Sequence, residues 1–124
     1  MKIRKVAFTL IPVRDTARAR AFYEKVLDLE PGLTAGDGMW TEYDLPEGGC
    51  IALFRSPDGT SKPSADAGSM IALEVDDLDA WIGRLKAEGV EFKAEMIPSP
   101  VCRMSIFVDP EGNGVMLHQL KRKS

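Results

Sequence analysis

The chain is short of the residues that most often carry enzyme chemistry. It has one histidine, His118, and two cysteines, Cys50 and Cys102. Two cysteines so far apart are too few for a disulfide framework or a zinc site, and they fit a reduced, cytosolic protein. Positive charge is not in excess either. A formal net charge of −3 makes no broad basic field, so nucleic acid is not an expected partner. The terminal Lys121-Arg122-Lys123 run reads as a solvated end. Long apolar runs are missing too: none reaches the roughly 18 residues that a membrane span needs. The opening MKIRKVAFTLIPV has a basic lead and a short apolar run, as a signal peptide does. Arg14 and Asp15 follow where a small-residue cleavage site would stand, so this stretch reads as a buried strand.

What is present suits an ordinary globular protein, 44% hydrophobic and 28% charged over 124 residues. A chain of this length makes one domain that buries about two-thirds of its unfolded surface. The stretch DPEGNGVMLHQ, Asp109–Gln119, holds a type I turn, with Pro110 second, Gly112 fourth and a positive φ angle at Gly112 or Asn113. Such a turn predicts a hairpin of Met104–Val108 with Val115–Leu120. Asp15 or Thr16 can cap a first helix through ARARAFYEKVL, ended by Glu30-Pro31-Gly32. Asp77 can cap a second, where Leu78, Trp81, Ile82 and Leu85 recur at helical spacing and Gly89 closes the end.

Strand-like runs surround both helices. Val6–Val13 precedes the first; Trp40–Leu45 and Cys50–Arg55 follow it, with a weaker run near Leu33. Met70–Val75 precedes the second; Glu91–Met96, Cys102–Val108 and Val115–Leu120 follow. The order βαβββ thus occurs twice, an α+β class. Sliding one half over the other brings Val13-Arg14-Asp15 onto Val75-Asp76-Asp77, each leading straight into a helix. Such a repeat means two copies of one unit, residues 1–60 and 66–124 approximately, which must pack together to bury their faces. The Gly-, Pro- and Ser-rich Ser56–Ser69 links them within one domain, because a half of about 60 residues makes a poor core alone.

With its paired βαβββ units, its AFYEKVLDLEPG helix end, its ALEVDDLDA strand-to-helix step and its FVDPEGNGVMLHQ hairpin, nearly the whole chain resembles the vicinal oxygen chelate superfamily, the glyoxalase, bleomycin-resistance and extradiol dioxygenase group. The resemblance implies two curled mixed sheets with helices outside and a cavity enclosed by the concave faces. It also implies a metal site. Metal-using members place a His on the first strand, seven residues before the helix-capping Asp, which is Phe8 here. A Glu of the fourth strand falls at Ala52, or at Leu53 with a gap of one. The second unit's first-strand ligand falls at Met70, and a Glu seven residues after the turn Asp is Met116. All are apolar, and a thioether does not replace imidazole and carboxylate at such sites. The expectation is that no metal is bound there.

Strand alternation extends the reading without the family. Side chains two apart share a face, and the helix-covered face must be apolar. On the seventh strand Met104, Ile106 and Val108 suit the helix, leaving Arg103, Ser105 and Phe107 toward a cavity. On the fifth, Ile71, Leu73 and Val75 pack outward, leaving Met70, Ala72 and Glu74. On the eighth, Met116, His118 and Leu120 point inward; on the third, Trp40, Glu42 and Asp44. Phe8, Leu10, Cys50, Ala52 and Phe54 complete an apolar lining with a few polar groups, the usual make-up of a small-molecule site. The plain reading of each stands beside it. A lone strand histidine serves as a hydrogen-bonded rim residue, Glu74 as a solvated charge or a partner of Arg103, and Trp40, Phe8 and Phe54 as wall.

Three functions fit. The first is a metal-free binder of a small organic molecule, like the antibiotic-sequestering members. The second is a lyase, isomerase or dioxygenase-type enzyme with His118 as general base or acid, Glu74 or Glu42 orienting it and Arg103 holding a carboxylate or enolate. A variant of it binds a divalent metal through Glu42, Glu74 and His118. The third is a non-catalytic protein-interaction module. A homodimer is expected in each case, to cover open sheet edges.

Overall fold

A computed structural model describes residues 1–121; Arg122 and Lys123 of the basic tail lie outside the described residues. The chain divides into two compact units, Met1–Pro63 and Ser64 onward.

The first unit is a four-stranded mixed sheet with one helix. Strand β1 (Thr9–Pro12) pairs in parallel with β4 (Cys50–Phe54), which pairs antiparallel with β3 (Trp40–Asp44), and β2 (Thr34–Ala35) lies outside β3. Between β1 and β2 runs α1 (Thr16–Ala21), capped by the Asp15 carboxylate, which accepts from the Arg18 N–H at 3.0 Å. It continues as a π-helical segment, Phe22–Val26. There the Leu27 N–H reaches back five residues to the Phe22 carbonyl at 3.1 Å, the bond that defines a π turn. The helix ends sooner than Glu30-Pro31-Gly32. Asp28 takes a left-handed φ of 59° and the Leu29 N–H closes on the Tyr23 carbonyl, a termination that needs no proline or glycine.

The second unit repeats the order. Strand β5 (Ile71–Glu74) pairs in parallel with β8 (Gly114–Leu120), followed by β7 (Cys102–Val108) and β6 (Glu91–Pro98), both antiparallel. Helix α2 (Leu78–Ala87) is capped by Asp77, whose side chain accepts from the Ala80 N–H at 3.1 Å. Gly89 follows it with φ 74°. At the hairpin the Gly112 N–H donates to the Asp109 carbonyl, and Gly112 carries φ 98°, so glycine is the residue that the turn requires.

Each helix covers one face of its own sheet. In the first unit Ile11, Tyr43, Ile51 and Leu53 are buried beside Phe22 and Tyr23, and the Tyr23 and Tyr43 rings stack at 6.3 Å. The Glu24 carboxylate, inside the π segment, accepts from the Tyr43 hydroxyl at 2.8 Å and from Arg20 Nε at 2.7 Å. In the second unit Val115 and Leu117 are buried, as alternation predicts, but they are joined by Ser105 and Phe107, each 0% exposed. The register decides this, pairing Ser105 with Leu117 and Phe107 with Val115, while Met104 and Ile106 stand opposite His118 and Met116. The more apolar Met104, Ile106 and Val108 suit the covered side by composition, but composition does not decide the face of β7. Its pairing does, and a one-residue slip inverts every side chain. Ser105 and Phe107 are thus core under α2, and the assignment of β7 is corrected.

Candidate functional site

The sheet faces away from the helices carry the remaining candidates, and the two faces differ. On the first sheet, register aligns Trp40 with Phe54, Glu42 with Ala52 and Asp44 with Cys50, and sets Leu10 beside Ala52. These side chains share the face opposite Tyr43. Phe8, just before β1, meets Trp40 edge-on at 5.1 Å, and Trp40 meets Phe54 at 6.0 Å. Phe8 is 42% exposed, so this aromatic cluster is open to solvent rather than sealed. The Trp40 indole N–H donates to Glu42 Oε2 at 2.7 Å, which fixes both the ring and the carboxylate. Burial pushes the Cys50 thiol up, and so do a hydrogen bond with Asp44 and the negative charges of Asp44 and Glu42.

On the second sheet, parallel pairing sets Glu74 beside His118 and Ala72 beside Met116. His118 Nδ1 lies 2.5 Å from Glu74 Oε1, and the Leu120 N–H donates to Glu74 Oε2 at 2.9 Å. Glu74 therefore orients the imidazole while itself held by the backbone. Partial burial pushes the Glu74 carboxyl up, but the bonds from His118 and Leu120 outweigh it and hold it below its usual value. With Nδ1 engaged, Nε2 is the nitrogen left to meet a ligand or move a proton. Met104, Ile106 and Met116, all half-buried, surround the pair on this face.

Arg103 does not join them. It shares the helix side of β7 with Ser105, where its guanidinium meets Asp79 at 3.2 Å and Gln119 Oε1 at 3.1 Å. Gln119 Oε1 also accepts from the Leu78 N–H at 2.8 Å, so Arg103 anchors the start of α2. Glu74 pairs with His118, not with Arg103. Charge pattern alone did not show this; the hairpin register, which opposes Arg103 to Gln119, is the signal that locates it.

The four positions at which the resemblance places metal ligands hold no nitrogen or oxygen donor in their side chains. Phe8 packs on Trp40, Ala52 is fully buried, and Met116 stands opposite Ile106. Met70, just before β5, brings its Cε so near Gly114 that a Cβ there would stand 3.4 Å away. Phenyl, methyl and thioether groups do not fit a divalent centre built from imidazole and carboxylate. Among the described residues, no three His, Cys, Asp or Glu side chains gather as a metal-binding group.

The model of the Glyoxalase/Bleomycin resistance protein/Dioxygenase superfamily matches residues 5–117. Among solved structures, the chain is similar to a glyoxylase/bleomycin resistance protein/dioxygenase domain from a Frankia species, with 19% identity over 99% of this chain and 96% of that one, at a TM-score of 0.78. It is similar to a lactoylglutathione lyase from Agrobacterium tumefaciens at 21% identity, over 96% of both chains, with a TM-score of 0.74. An antibiotic-binding protein from a Streptomyces species shares 26% identity over 98% of this chain and 99% of that one, with a TM-score of 0.71. No curated protein matches the chain.

Proposed function

The chain belongs to the Glyoxalase/Bleomycin resistance protein/Dioxygenase superfamily, and we propose that this member binds a small organic molecule on its helix-free sheet faces without a metal. The observation that carries the reading is the chemistry of those faces. Apolar side chains dominate them, and each holds one oriented polar pair, Trp40–Glu42 or Glu74–His118. Few, fixed polar groups on an apolar surface are what orient a small ligand. The likeness to an antibiotic-binding protein at 26% identity supports the same reading. The two units work as one domain, since neither half of about 60 residues makes a good core alone. We place the protein in the cytoplasm, where Cys50 and Cys102 stay unpaired. No described helix is long and apolar enough to cross a membrane. Each sheet leaves an edge at either side, which pairing into a homodimer would cover; sedimentation as a monomer at micromolar concentration removes that part.

Ligand-observed NMR on tag-free, chelator-treated protein against a set of fragment-sized aromatic compounds tests the reading. Binding should survive chelation. His118→Ala should weaken it by about 1–3 kcal/mol, the scale of leaving a buried polar partner unmatched, without unfolding the domain. Binding that returns only with added zinc, nickel, iron or manganese would overturn it.

The Glu74–His118 pair favours one second reading, an enzyme in which His118 Nε2 takes or gives a proton. This predicts exchange of the α-proton of a carbonyl compound in deuterated water, abolished by His118→Ala and slowed by Glu74→Gln. Equal exchange in all three proteins removes it.

A further inference from the structure

We propose that the helix-free face of the first sheet selects an organic cation that carries a flat aromatic ring. The ring is held by Trp40, Phe8 and Phe54, and the positive centre lies at Glu42. This rests on the small-molecule reading and narrows it, and it uses the first unit alone.

Three observations carry it. The aromatic cluster is partly open, so its ring faces and edges are available to a ligand. Ring faces carry negative potential and attract cations that lie over them. Next, Glu42 is built into the cluster rather than scattered near it. Its Oε2 accepts the Trp40 N–H at 2.7 Å, and Oε1 has no other hydrogen bond among the described residues. A half-buried carboxylate against apolar surface is costly without a counter-charge, and an indole N–H brings a dipole but no charge. Last, the strand residues of this face carry charge of one sign. Asp44 follows Glu42 on the same face, about 7 Å along the strand, and no strand of this sheet carries a Lys, Arg or His. Burial is the largest cause of the raised Cys50 thiol, and the two carboxylates push it up further.

The complementary ligand follows from this. Its ring replaces water on the aromatic edge formed by Trp40 and Phe54. Its cationic group sits two residues further along the strand, at the half-buried Glu42 carboxylate. An anion of the same shape meets two carboxylates and no counter-charge. A neutral isostere keeps the stacking and loses the ion pair.

Tryptophan fluorescence reads this directly. In Trp81→Phe, Trp40 is the one remaining indole. N-methylquinolinium, quinoline and naphthalenesulfonate are titrated at neutral pH, where quinoline is uncharged. Saturable quenching by N-methylquinolinium should be about tenfold tighter than by quinoline, as one cation–π contact and one ion pair allow, with naphthalenesulfonate weakest. Glu42→Gln keeps an acceptor for Trp40 and should bring the cation down to the level of quinoline, leaving quinoline unchanged. Should that variant fail to fold, Asp44→Asn, at an exposed position, must still cut the preference by a few fold. Equal binding of the three probes, or a preference untouched by these variants, would overturn the inference and leave the broader reading standing. Quenching by none of them would also overturn it, while fragment binding that depends on His118 decides the broader reading independently.

Discussion

The helix-covered side of the first sheet holds Ile11, Tyr43, Ile51 and Leu53, and that of the second holds Ser105, Phe107, Val115 and Leu117, all at most 5% exposed. On the opposite sides the likeness between the units ends. The first carries three aromatic rings with Glu42 and Asp44; the second carries methionines and aliphatic side chains around Glu74 and His118. One strand order supports both. The packed side is constrained by a helix that must dock on it, so it stays apolar and close-fitting. The open side has no such partner within its unit and is free to vary, which is where differences in ligand chemistry can be written.

The sharpest way to break this contrast is to truncate one ring on each side. Phe107→Ala removes a fully buried side chain and should cost about 3–5 kcal/mol in a urea melt. Phe8→Ala, at a ring 42% exposed, should cost roughly 1 kcal/mol. Comparable losses would mean that Phe8 is core and the first open face is not open.

Tyr43→Phe comes next, with about 1.5 kcal/mol expected for a hydrogen bond to a charged group. Burial pushes the Glu24 carboxyl up, but the bonds from Arg20 and Tyr43 hold it below its usual value. A carboxyl lowered on folding contributes stability above its ordinary range and loses it as pH falls through the lowered value. The gap between wild type and Tyr43→Phe should therefore be widest near neutrality and close in acid. A gap independent of pH would mean that the hydroxyl matters for packing and not for Glu24.

Much of this contrast was legible in the sequence. Caps at Asp15 and Asp77, the Asp109–Gly112 turn and the doubled strand order each rest on local chemistry that the fold obeys. The face carrying Trp40, Glu42 and Asp44 follows from alternation, with Tyr43 on the covered side. Strand β7 failed the same test. Met104, Ile106 and Val108 form its more apolar face, so composition points Arg103, Ser105 and Phe107 away from the helix, and only register places them under it. The Glu24 network was equally hidden, since it depends on a tyrosine far along the chain meeting a helical glutamate.

A smaller effect belongs to the second open face. The Glu74 carboxyl is also lowered on folding, through His118 and Leu120, so its contribution is present above the ordinary carboxylate range and fades as pH drops through the lowered value. The carboxylate is half exposed and solvent screens it. Glu74→Gln should flatten the acid limb of the stability curve slightly, and much less than Tyr43→Phe does. A larger shift than that of Tyr43→Phe would reverse the ranking and make the His118 pair a structural element first.

The smallest effect probes the field on the first open face. Burial is the main reason that the Cys50 thiol is raised, followed by the hydrogen bond with Asp44 and the charges of Asp44 and Glu42. Asp44→Asn removes the bond to a charge and one of the two charges, while leaving burial almost unchanged. The thiolate is the nucleophile in alkylation, so a thiol that titrates lower reacts faster at fixed neutral pH. Iodoacetamide should modify Cys50 about two- to fivefold faster in Asp44→Asn, because a shift of one unit would be worth tenfold and an exposed charge is screened. The gain should shrink as salt rises, since the interaction is coulombic. Cys102, buried in the other unit, should keep its rate and serves as the control in the same peptide map. A Cys50 rate unmoved by Asp44→Asn would assign the raised thiol to burial alone, and would take from the first face the negative field that distinguishes it from the second.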